Sequence, residues 1–143
     1  MESLRTSKIS ENMKTITAIL EKGKDGYGVS FADIPNVYGF GKTVEDAKED
    51  ARNALDSFIN VLNEMGRPLP KELKEEFELE FEFATPTLMD FVDMVKLQAL
   101  AKAAKINAGQ LSHYKAGTRP RPEQRKKIVE GLHKIARQLL TVS

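Results

Sequence analysis

KTITAILEKGKDGYGVSFADIPNVYGFGKTVEDAKEDARNALDSFINVLNEM, residues 14–65, changes its apolar period once, and that change decides the fold of the first half of the chain. From Lys14 to Glu21 the residues are rich in β-branched side chains, and Ile16, Ala18 and Leu20 alternate onto one face of a strand. Gly23-Lys24-Asp25-Gly26 tolerates positive φ, and Tyr27, Val29 and Phe31 then alternate again, which predicts a β-hairpin. Asp33-Ile34-Pro35-Asn36 reads as a turn into a short third strand around Val37 to Gly41. At Thr43 the spacing becomes helical: Thr43 with Asp46 is a capping-box-like start, and Val44, Ala47, Ala51, Ala54, Leu55, Phe58, Leu62 and Met65 form one stripe. Gly66 and Pro68 end that helix, whose apolar side must lie on the sheet, because such a helix owes its stability to burial more than to propensity.

Outward from this ββ-β-α unit, a weak helical turn near Pro70 to Lys74 precedes EFELEFEF, residues 76–83. The alternation there is strict, with Phe77, Leu79, Phe81 and Phe83 on one face and Glu76, Glu78, Glu80 and Glu82 on the other. A strand of this kind left as a free edge invites pairing with another chain, so we expect it to close the sheet or to pair across a dimer. Thr85-Pro86-Thr87 reads as the domain boundary, with Thr87 placed to cap a helix beginning at Leu88. From there the spacing stays helical: about Leu88 to Val95, Leu97 to Lys105, Ala108 to Ala116 and Pro122 to Leu140. The segment before Met13 lacks periodicity, and residues 1–13 are expected to be a disordered tail. The organisation is therefore a tail at 1–13, an α+β domain at 14–85 and a small all-α domain at 86–143.

Composition narrows the function classes. The 143 residues include no Cys, which excludes thiolate chemistry and disulfides and fits a reducing cytosol. No apolar run approaches eighteen residues and the opening MESLRTSKISEN is polar, so neither a membrane span nor a signal peptide is expected. The formal charge of +1 hides an asymmetry: residues 1–85 hold 11 Lys/Arg against 17 Asp/Glu, and residues 86–143 hold 11 against 4. One half is net −6 and the other net +7, as expected if only the second meets a polyanion.

Within LQALAKAAKINAGQLSHYKAG, residues 97–117, Leu100, Ala101 and Ala104 form the inner face of one helix and Leu111 and Tyr114 that of the next, with Ile106 plugging the turn. Ala101 and Ala104 are expected to supply the small residues that a steep crossing of these two helices needs. Asn107 stands at the N-cap of the second helix. If that helix enters a major groove, Ala108, Gly109, Gln110, Ser112 and His113 are its candidates for base contact. Asn107, Lys115, Thr118, Arg119 and Arg121 would surround them with phosphate contacts, which position without reading sequence.

The spacing L-A-x-x-A-x-I-N-x-x-Q-L-S-x-Y-x-x-G, residues 100–117, resembles the helix-turn-helix of the phage-repressor (XRE-like) family. Separately, DGYGVSFADIPNVYGFGKTVEDAKEDA, residues 25–51, resembles HicB antitoxins, in which V-x-F-x-D-x-P-x-x-x-x-x-G-x-T-x-x-E-A is typical; Asp46-Ala47 stands here where the family has Glu-Ala. The order of the two segments is the HicB order. The resemblance implies a degenerate ribonuclease-H-like ββ-β-α-β domain followed by a helix-turn-helix, in a bacterial cytoplasmic antitoxin. It further implies binding of a small basic HicA-like ribonuclease, repression of the operon through an inverted-repeat operator, a homodimer or higher oligomer, and no cofactor or enzymatic activity. Independently, a metal-dependent nuclease of that fold needs carboxylates converging on divalent ions, and KTITAILE offers no inward Asp.

Tyr38, Phe40, Glu78, Glu80 and Glu82 are the candidates for toxin contact, each with a plainer alternative. Tyr38 and Phe40 fit core better than exposed anchors, and the Glu row fits the solvated side of an edge strand slightly better than a docking surface. His113 and His133, with no Cys and no clustered carboxylates, do not form a metal-ligand pattern. Two other functions stay open: a stand-alone repressor whose first domain dimerises or senses a ligand, and a metal-dependent nuclease.

Overall fold

The computed structural model describes residues 13–143; the expected tail, but for Met13, lies outside the described residues. Among those residues four strands and six helices follow in the order β1 (Lys14–Lys22), β2 (Tyr27–Phe31), β3 (Ile34–Gly41), α1 (Val44–Glu64), α2 (Lys71–Lys74), β4 (Phe77–Phe83), α3 (Thr85–Val92), α4 (Leu97–Ala104), α5 (Ala108–Lys115) and α6 (Pro122–Leu139). The mixture is compatible with an α+β class. The chain divides into two compact units, one ending at Phe83 and one beginning at Ala84.

In the first unit the sheet order is β3-β2-β1-β4. β1 pairs with β2, and β2 with β3, antiparallel, whereas β4 runs parallel to β1 after a crossover that contains α1. The expected alternation holds on β1, where Ile16, Ala18 and Leu20 are buried. They join Val29, Phe31, Ile34 and Val37 from the sheet and Ala47, Ala51 and Leu55 from α1 in one core. Thr43 caps α1, its hydroxyl accepting from the Asp46 N–H at 3.1 Å. At the other end Gly66 takes φ 67, and the Gly66 and Arg67 N–H groups return to the Asn63 and Leu62 carbonyls, closing the helix in a Schellman arrangement.

Two strand-level expectations are corrected and a third is narrowed. β3 begins at Ile34, not Val37: a register shift at Ser30/Phe31 lets Ile34 pair with Phe31 and enter the core, and Pro35 is tolerated because β3 is an edge. β4 is the opposite edge of the sheet, paired on one side with β1, so of the two expected outcomes closure is excluded and pairing across a dimer is the one left. Its Phe77, Leu79, Phe81 and Phe83 are half-buried, with Lys48 and Arg52 of α1 lying over the Phe81 ring at 5.5 and 5.1 Å. Tyr38 and Phe40, expected in the core, are 66% and 53% exposed. The reason lies on the other side of β3: a Cβ on Gly39 would sit 2.7 Å from the Ala51 backbone, and one on Gly41 2.3 Å from the Ala47 nitrogen. The two glycines let α1 lie directly on β3, so alternation turns both rings to the face that carries no helix.

In the second unit α3 starts at Thr85, earlier than the expected Leu88. Pro86 sits in its first turn, where a missing N–H costs nothing, so Thr87 is buried within the helix and does not cap it. Leu88, Val92, Leu100, Leu111 and Ile128 are each no more than 2% exposed and form the centre of this unit. α4 packs chiefly on α6. A Cβ on Gly131 would lie 2.8 Å from the Ala104 Cβ, so a small residue at 104 serves the close approach of α6 to α4. Arg125 of α6 donates to the Thr85 hydroxyl at 2.9 Å, tying α6 to the start of α3.

Candidate functional site

α5 is positioned by only two of its residues. Leu111 is fully buried and Tyr114 nearly so, while Gly109, Gln110, Ser112, His113 and Lys115 are exposed and Ala108 is half-buried. The turn from α4 is made by Lys105 in the left-handed region (φ 59, ψ 43) and by Ile106, which is buried as expected. Asn107 caps α5 by accepting from the Gly109 N–H at 2.7 Å. Its side-chain oxygen is thereby committed to the helix, which qualifies its assignment as a phosphate contact.

Most of the base-contact candidates share one side of the helix. Asn107, Gly109, Gln110, His113, Tyr114 and Thr118 line an open concavity along one side of α5, and Ser112 is also exposed. Two side-chain interactions reshape the list. Gln110 Nε2 donates to the Tyr114 hydroxyl at 2.8 Å, so its amide is oriented along the helix. Lys115 Nζ lies 3.0 Å from the Asp93 carboxylate, a surface ion pair that partly cancels its charge for a phosphate. Arg119 and Arg121 are exposed in the loop between α5 and α6, and the Thr118 N–H holds that loop by donating to the His113 carbonyl at 3.0 Å. Asp93 is the residue that sequence reasoning missed here; lying 22 positions before Lys115, it leaves no short-range signal.

The five toxin-contact candidates come together on the helix-free face of the sheet. Register places Tyr38 beside Ser30, Ser30 beside Ile19 and Ile19 beside Glu82, in one row across β3, β2, β1 and β4. A second row runs Phe40, Gly28, Glu21. Thr15 and Thr17 pair with Glu78 and Glu80 on the same face. Glu21, Glu78, Glu80 and Glu82 thus share a strand face that has no Lys or Arg. Glu21 was not singled out from the sequence, because only the β1-β2 register shows which side of the hairpin it takes.

Along the outer edge of β3, the Phe40 N–H donates to the Asp50 carboxylate of α1 at 2.8 Å. This bond occupies an edge donor that an incoming strand would otherwise use. Among the described residues, no three His, Asp or Glu side chains come together as a metal-holding group, and no helix is long and apolar enough to cross a membrane.

A family model described as the HicB-like antitoxin of bacterial toxin-antitoxin systems matches residues 16–114, from β1 to the buried Tyr114 of α5. An uncharacterized 14.9 kDa protein in the rep-hol intergenic region of Haemophilus phage HP1 is 31% identical over 88 residues, 62% of this chain. The match spans 66% of that protein's own length, just under two thirds.

Proposed function

Because the chain belongs to the HicB-like antitoxin family of bacterial toxin-antitoxin systems, we propose that its first unit neutralises a HicA-like ribonuclease and its second represses its own operon. The second unit works as an XRE-like helix-turn-helix in which α4 supports and α5 reads. The observation that carries this reading is the division of α5: Leu111 and Tyr114 anchor it, and a capped N-terminus with exposed Gln110, Ser112 and His113 is left outward. It stands in a segment of net charge +7. Small Ala108 and Gly109 let the backbone approach base edges, Ser112 and His113 read them, and Arg119 and Arg121 hold phosphates. Lys115 contributes only as far as Asp93 releases it.

One such helix covers a short half-site. The chain therefore acts as a homodimer at least, on an inverted repeat with half-site centres about 10 bp apart or a multiple of it. The first unit, with its acidic face and exposed Tyr38 and Phe40, binds a basic toxin and masks it. Its strand order, with β4 parallel to β1, supports a degenerate ribonuclease-H-like arrangement, and it acts without catalysis in the bacterial cytoplasm.

Gel-shift titration against the chain's own promoter fragment, with random duplex as competitor across a salt series, tests the DNA half. The expected result is preferential binding that weakens steeply with salt. Equal affinity for both duplexes at every salt concentration would refute it. Co-expression with the adjacent reading frame, followed by pull-down, tests the toxin half; recovery of a basic protein of roughly HicA size is expected.

A further inference from the structure

A shallow slot lies on the helix-free face of the sheet, lined by Ile19, Glu21, Gly28, Ser30, Tyr38 and Phe40. Its floor is Gly28, where a Cβ would meet nothing within 4 Å, so the opening exists because that strand position carries no side chain. Its neighbours across the sheet are Phe40 on one strand and Glu21 on the other. The Phe40 ring leans towards the hairpin turn, its Cζ 3.0 Å from where a Cβ on Gly26 would sit. Two exposed aromatic rings, an exposed carboxylate and a missing side chain thus occupy adjacent register positions. At its hairpin end the slot is also lined by Lys22, Lys24 and Asp25, two positive charges and one negative.

We propose that this slot receives an arginine side chain of the toxin, with the guanidinium over Gly28, flanked by the Tyr38 and Phe40 rings and paired with the Glu21 carboxylate; the proposal rests on the toxin-binding reading above. A flat, weakly hydrated guanidinium satisfies both requirements of the slot, since it stacks on aromatic faces and pairs with a carboxylate through parallel N–H groups. The four glutamates of this strand face outnumber the two lysines, Lys22 and Lys24, at its hairpin end, and they favour a basic protein over a second copy of the same acidic face. Aromatic anchors around a small pocket are also where interface energy concentrates.

The experiment is calorimetric titration of the full chain with the basic protein encoded by the adjacent reading frame. Wild type is compared with Gly28→Val, which fills the slot from below, and Glu21→Gln, which removes its charge from an exposed side chain. Both variants are expected to keep the wild-type melting transition and operator binding. Gly28→Val should weaken toxin binding at least roughly tenfold. Glu21→Gln should weaken it less, by an amount that shrinks as salt rises. If wild type binds the toxin and Gly28→Val binds it within about twofold, the slot is wrong while the antitoxin reading stands. If wild type does not bind the toxin, both fall. A change of oligomeric state by light scattering in Gly28→Val would assign the slot to a second copy and overturn the proposal. Should Gly28→Val fail to fold, Glu21→Gln and Phe40→Ala decide, and unchanged toxin affinity in both overturns it.

Discussion

Gly39→Ala is the smallest change that tests why the aromatic rings of β3 face outward. The added Cβ would lie 2.7 Å from the Ala51 nitrogen and Cα and 2.8 Å from its Cβ. Two of these three contacts are backbone atoms of α1, so no rotamer change relieves them, and the helix must retreat by about 1 Å to restore ordinary contact. A gap of that size forfeits a quarter to a half of the dispersion attraction at the atoms it separates, here around Ala47, Ala51 and Leu55, which are at most 1% exposed. Overpacking of this kind costs about 1–3 kcal/mol, and replacing a strand glycine with alanine returns about 0.5–1 kcal/mol. A net loss of about 1 kcal/mol should lower the melting temperature of the first unit by roughly 4–8 °C, at about 4–8 °C per kcal/mol for a small domain. Thermal and urea unfolding of the full chain, followed by circular dichroism, reads this directly. Gly28→Ala is the control: it makes the same change on the neighbouring strand, facing open space, and should be neutral or mildly stabilising. A Gly39→Ala protein that melts at or above wild type would refute the claim that close helix approach decides the facing of β3.

Further outcomes are expected on the DNA side. Ser112→Ala with His113→Ala should relax operator discrimination by about 1–3 kcal/mol per lost base contact, measured as the ratio of operator to random-duplex affinity, with toxin neutralisation intact; unchanged discrimination would mean that another face of α5 reads the duplex. Arg119→Ala or Arg121→Ala should weaken operator and random duplex alike and reduce the salt slope by about 1 each, which a salt-series gel shift resolves. Asn107→Ala removes the cap on Gly109 and should destabilise the second unit by about 0.5–2 kcal/mol in urea unfolding.

Much of the fold was legible because it is written in short-range pattern. Alternation in 14–21 and 76–83, the helical stripe after Thr43 and the cap positions Thr43 and Asn107 all depend on neighbours within a few residues, and each is present. What misled was also local. Tyr38 and Phe40 are large and apolar, which alone favours a core, but strand alternation requires only that one side of β3 be buried and does not say which. Thr85-Pro86-Thr87 looked like a boundary with a cap, yet proline is equally at home in a first turn. At the candidate DNA-reading helix, the residue types and the cap could be read from spacing. The bonds that change their roles could not: Lys115 to Asp93 spans 22 positions, and Gln110 to Tyr114 competes with solvent in a way that spacing does not weigh.

The amino-acid order alone determined that an acidic mixed half precedes a basic helical half, where most elements start and stop, and which helix carries a capped, polar outer side. Those properties arise from charge, period and caps, which act within a turn or two of chain. Only the tertiary structure decided that β4 remains an edge, that Gly39 and Gly41 admit α1 and turn two aromatic rings away from it, and that Glu21 joins them across Gly28. Such placements depend on strand register and on how closely a helix can approach a sheet, and both are set by pairs of residues far apart in the chain.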